Sequence, residues 1–125
     1  MIISVLIRRL REGNDFDDFK RVWQPEVGFG VPTRVLAGVN LEDPREIVTV
    51  GFTDISADKV GEMLASQAVA AENRRRHEAI DAVVESFPLQ AGYLAVDDQD
   101  FTGAPRPFGA GPPGAGITPP PAPRR

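Results

Sequence analysis

The chain has few side chains suited to chemistry: one histidine, one tyrosine, one tryptophan and no cysteine. His77 leads, because imidazole is the side chain that changes charge near neutral pH. Continued at helical spacing it shares a face with Ile80, Val84 and Phe87, which predicts partial burial. So placed, it suits a general base that removes a phenolic or α-carbonyl proton and leaves a carbanion able to reduce dioxygen directly. The competing reading is a histidine at the edge of the core or of a dimer interface, bonded to a carboxylate. A single histidine without a second ligand gives no ground for a metal site, and no cofactor is expected.

A second group consists of Arg8, Arg34 and Tyr93, each in a strand-like stretch. A guanidinium facing a cavity binds a carboxylate or enolate oxygen; at a strand end it reaches solvent or a partner subunit instead. The Tyr93 hydroxyl either orients a ligand or packs. Trp23 and Phe29 flank the loop Gly28-Phe-Gly-Val-Pro32, as a lid or as packing at the sheet edge. In Glu72-Asn-Arg-Arg-Arg-His-Glu78, the pairs Glu72/Arg76 and Arg74/Glu78 have the i,i+4 spacing of a solvated helix face, not of a nucleic-acid patch. Asp97, Asp98 and Asp100 read as a charged strand exit. There is no glycine-rich phosphate loop and no Gly-x-Ser-x-Gly turn.

These residues need elements to hold them. Met1 to Leu10 is β-branched and alternating, hence a strand. Asn14 or Asp15 caps a short helix that ends at Pro25, with Phe16, Phe19 and Val22 or Trp23 on one side. Residues 33–40 and 46–54 are strands joined by the hairpin link Leu41 to Arg45. Ser56 to Phe87 is one long helical stretch, whose apolar positions change sides between its halves and predict a break near Glu72 to Arg76. A fourth strand, residues 90–97, follows Pro88. The order βαββαβ is the ferredoxin-like split βαβ, an α+β fold with a four-stranded antiparallel sheet and two helices on one face.

Alternation assigns Ile3, Val5, Ile7, Val35, Ala37, Val39, Val48, Val50, Phe52, Leu94 and Val96 to the face beneath the helices. The opposite, mixed face carries Ser4, Leu6, Arg8, Arg34, Leu36, Ile47, Thr49, Gly51, Tyr93 and Ala95. A face so rich in apolar area needs a cover. A second copy closing over it would enclose a cavity, and Ser4, Leu6, Arg8, Arg34, Leu36, Thr49 and Tyr93 are its candidate lining, with His77 as base.

A chain of 125 residues is one domain in size, and its apolar and charged content is that of a soluble globular protein. The absence of cysteine suits the reducing cytoplasm. The apolar opening is far too short for a membrane span, and it lacks the basic lead-in of a signal peptide. Net charge is −4, and the body before Gly103 is more acidic still, because three arginines and no acid follow it; nucleic acid is not the expected partner. Residues 1–102 form the domain. Residues 103–125 are a proline- and glycine-rich tail, expected to be flexible or docked on a partner through Phe108 or Ile117, and unable to sustain a hydrogen-bonded ladder. Its end, Pro120 to Arg125, is like a polyproline II ligand with a basic flank.

Over about residues 1–101 this layout, with an apolar first strand and a histidine in the second helical region, resembles the dimeric α/β-barrel superfamily. Within it, the chain resembles the antibiotic biosynthesis monooxygenase-like proteins. The resemblance implies two protomers joined sheet to sheet, each enclosing a pocket. Members include cofactor-independent oxygenases of aromatic polyketides, haem-degrading enzymes, lactone isomerases and binding proteins. The haem-degrading branch uses an asparagine on the first strand with a tryptophan and a histidine in the second helical region. Here only His77 matches, which argues against that branch. Two functions follow: a cofactor-free oxygenase or isomerase acting on a small apolar or phenolic compound, or a non-catalytic binding or structural dimer whose tail engages another protein.

Overall fold

A computed structural model describes residues 1–26 and 28–109. The elements are β1 (Ile2–Leu10), α1 (Phe16–Trp23), β2 (Thr33–Asn40), β3 (Asp43–Thr53), a 3-10 turn (Ala57–Lys59), α2 (Val60–Ala65), α3 (Gln67–Asp81), β4 (Val84–Leu94), and two short strands, β5 (Gln99–Asp100) and β6 (Arg106–Pro107). The main sheet is antiparallel in the order β2-β3-β1-β4, the ferredoxin-like arrangement, and the helices cover one face. Asp15 begins α1 with a reciprocal capping box, its carboxylate accepting from the Asp18 N–H while Asp18 accepts from the Asp15 N–H. Phe19 can then reach Leu10, Ile47 and Val84, all fully buried, to form the core under α1. Burying each such side chain stabilises the fold by about 1.5–3 kcal/mol.

The long helical stretch breaks earlier than its periodicity suggests. Ser66 leaves helical geometry with ψ 145°, and its hydroxyl accepts from the Val69 N–H to start α3. No break occurs at Glu72 to Arg76. That stretch keeps one inward face, Val69, Glu72 and Arg76, because two charged residues continue the line that apolar ones begin. The Glu72/Arg76 pair is therefore buried, contrary to the solvated-face expectation, whereas Arg74 and Glu78 are exposed.

The helix also stops sooner, at Asp81. Val83 lies in the turn that follows, its carbonyl accepting from the Arg11 backbone N–H, and Val84 opens β4. The expected strand start after Pro88 is thus corrected to Val84. Proline is tolerated here because β4 is an edge strand and its pairing with β1 is irregular near Arg9.

The largest correction concerns the two faces of the sheet. Residues directly opposite in a ladder share a face, so Leu6, Thr49 and Ala37 form one row and Ser4, Gly51 and Val35 the next. These rows lie beneath the helices, with Leu10 and Ile47 packed on Phe19. Ile3, Val5, Ile7, Val48, Val50 and Phe52 point the other way, together with Arg34, Leu36, Leu89 and Tyr93. In β1 and β3 the expected apolar underside is thus the uncovered face. In β2 the expected faces hold, because the link between β2 and β3 is only Leu41-Glu42 and a register shift between Val39 and Asn40 sets this strand out of phase with the faces assigned to β1 and β3: Val35 lies under the helices and Leu36 outside. Val96 lies beyond β4 and is exposed.

Beyond β4, β5 pairs with β6 and the Phe108 N–H donates to the Asp98 carbonyl. The proline-rich segment therefore does enter a short ladder at Arg106–Pro107. Ile117 and the stretch Pro120 to Arg125 lie outside the described residues.

Candidate functional site in the cleft between sheet and helices

The helices do not close on the sheet along its whole length. Between them lies a cleft of about 500 Å³, floored by Ser4, Leu6, Val35 and Gly51 and walled by Phe29, Ile55, Val60, Met63, Leu64 and Val69. Gly51 makes room for the Ser4 hydroxyl, since a Cβ at that position would sit 2.6 Å from Ser4 Oγ. Leu6, Asn73 and Gln90 also border an adjoining compartment of about 460 Å³, which carries Arg8, Trp23, Arg76, His77, Asp81 and Phe87.

Arg8 is 6% exposed. Its Nη1 donates to Thr49 Oγ1 at 2.9 Å, and its guanidinium lies 5.0 Å from the Phe19 ring centre and 5.8 Å from that of Phe87. Among the described residues it has no carboxylate partner, and its Nε is buried without a hydrogen bond. Burial, with the charge of Arg76 added, pushes its pKa down to about 10. Arg76, also buried, donates to the Trp23 carbonyl and to Asn73 Oδ1, and stands 4.0 Å from Glu72. Burial lowers its pKa too. Glu72 accepts from Arg75 at 2.7 Å and from the Glu26 N–H at 3.1 Å. The bond from Arg75 holds its carboxyl below the usual range.

His77 is on the rim of this second compartment, 3.4 Å from Asp81 Oδ2 and with its side chain 76% exposed. The expected partial burial is not found, because Val84 and Phe87 belong to β4 and no longer define a helical face with it. The expected carboxylate neighbour is found in Asp81.

The sequence-derived set is thus divided. Ser4 and Leu6 line the cleft, Leu6, Arg8 and His77 the adjoining compartment, and Thr49 anchors Arg8 from below. Arg34, Leu36 and Tyr93 lie on the opposite face of the sheet and do not converge with them. The helical walls and Arg76 were missed. The walls had left a signal in the apolar spacing of Val60, Met63 and Leu64, and Arg76 in its i,i+4 step from Glu72, in line with Val69 and Ile80. Among the described residues no cluster of histidine, aspartate and glutamate is arranged to hold a metal.

No family model matches the chain, and no curated protein does. Solved structures do. A Chloroflexus aurantiacus J-10-fl protein, named as a candidate antibiotic biosynthesis monooxygenase, superposes with a TM-score of 0.53 at 12% identity, over 76% of this chain and 92% of that one. In fold, the chain resembles the antibiotic biosynthesis monooxygenase-like, ferredoxin-like proteins. Protein SO0527 from Shewanella oneidensis superposes with a TM-score of 0.51 at 22% identity, over 74% of this chain and 87% of that one. At these identities the likeness is one of fold.

Proposed function

We propose that the protein binds a small, largely apolar molecule in the cleft between its sheet and helices. The observation that carries this reading is the cleft itself: about 500 Å³ with mainly apolar walls, the size range of small-molecule sites, leading to a compartment with a few polar groups. Native mass spectrometry of freshly purified protein tests it. The reading expects a co-purified or added aromatic compound to be retained by the wild type and lost on Met63→Trp, which fills the cleft from α2. Equal retention by both would overturn it.

We further propose turnover without a cofactor, as an oxygenase or isomerase acting on a phenolic or enolisable compound. What favours it is that His77 and Arg8 border one compartment, a base beside a cation. In this reading His77, oriented by Asp81, takes the proton, and the charge left on the substrate oxygen develops near Arg8. His77→Ala then removes turnover without weakening binding; undiminished turnover would leave a binding protein. The uncovered face, with Ile3, Val5, Ile7, Val48, Val50 and Phe52, is where we place a second copy of the chain. Location in the cytoplasm and a protein partner for the tail complete the proposal. No helix among the described residues is long and apolar enough to cross a membrane.

A further inference from the structure

Burying a cation without an acid beside it is costly, several kcal/mol even after relaxation. A fold does not need that cost at this position: a methionine would fill the same space between Phe19 and Phe87. Arg8 nevertheless sits there, 6% exposed, with the hydroxyl of Thr49 as its only side-chain acceptor among the described residues. Its Nε is buried and unbonded. Arg76, 9% exposed, borders the same compartment, and its Nε likewise lacks a hydrogen bond. Glu72 is turned mainly to Arg75 and the Glu26 N–H, and it approaches Arg76 only to 4.0 Å. Asp81 borders the compartment as well, but it is exposed and faces His77 on the rim. The compartment is therefore bordered by two buried guanidinium groups with too little negative charge beside them to match.

We infer that this compartment is an oxyanion site, in which Arg8, seconded by Arg76, holds the carboxylate of a ligand whose apolar body lies in the larger cleft. The inference rests on the cleft being the ligand site and adds the class of ligand, an amphiphilic organic acid. Leu6, Asn73 and Gln90 border both spaces, so one molecule can span them. Planar guanidinium donors match a carboxylate, and such charge-assisted bonds are about twice as strong as neutral ones.

The test compares 2-naphthoate with its uncharged analogue 2-naphthamide by titration calorimetry on the full-length protein, using the wild type, Arg8→Met and Arg8→Lys. The wild type should bind the acid at least tenfold more tightly than the amide. Arg8→Met should remove that preference by weakening the acid far more than the amide, and Arg8→Lys should restore part of it. Arg8→Met should also melt no lower than the wild type in the absence of ligand, as expected when a buried charge is kept for binding and not for folding. If the wild type binds acid and amide equally, the oxyanion site is wrong while the apolar cleft stands. If it binds neither, both readings fail. A markedly lower melting temperature for Arg8→Met, with no acid preference in the wild type, would make Arg8 a structural residue.

Discussion

At the scale of single residues, the decisive groups are those whose burial and bonding disagree with their chemistry. Arg8 depends on Thr49, which is 4% exposed and accepts its hydrogen bond. Thr49→Val keeps the volume and removes that acceptor, so it should lower stability by about 1–3 kcal/mol, read by urea denaturation. Glu72 gives a second prediction, in pH. Its carboxyl lies below the ordinary range chiefly through Arg75's hydrogen bond, so the stability it adds is present above that range and is lost as pH falls through the folded value. Glu72→Gln should therefore flatten the acid limb of a stability–pH profile and leave the slope above pH 6 unchanged. Only part of this was legible in the residue types. Arg8 was singled out for a possible oxyanion role, but Arg76 looked like one more charge on a wet helix, because an i,i+4 pair reads the same whether it faces solvent or a cleft.

At the scale of elements, strong periodic signals translated directly into structure. The capping box at Asp15, the β-branched run of β1 and the hairpin of β2 and β3 each follow from local chemistry, and together they give the ferredoxin-like order. Boundaries and faces carried less. Val83 and Val84 satisfy a helical period and a strand equally well, so the end of α3 depends on β1 being there to pair with. Which side of a two-sided apolar sheet the helices choose is likewise decided by packing. Here Phe19 fits against Leu10 and Ile47, and this puts Ser4, Leu6 and Arg8 inside. Ser66 is the hinge between the two helical pieces, and its hydroxyl caps α3. Ser66→Ala should cost about 0.5–2 kcal/mol in thermal or chemical denaturation, and Ser66→Asp should restore most of it.

At the scale of the whole molecule, the uncovered face of the sheet is the feature that a single chain does not account for. Leu36, Leu89 and Tyr93 are exposed on it beside the six apolar residues of β1 and β3. Patches of this kind mark interfaces. Sedimentation at micromolar concentration should give a dimer for the wild type and a monomer for Val50→Asp; a wild-type monomer would remove the second copy from the account. The proposed sheet dimer and the proposed ligand site would use opposite faces, so the Val50→Asp monomer should retain an intact cleft. The cleft is also the central claim, and methyl-resolved NMR during a 2-naphthoate titration addresses it most directly. The account predicts shifts at Leu6, Val35, Leu64 and Val69 with Val5, Val48 and Val50 undisturbed; shifts confined to the latter three, on the open face, would contradict it.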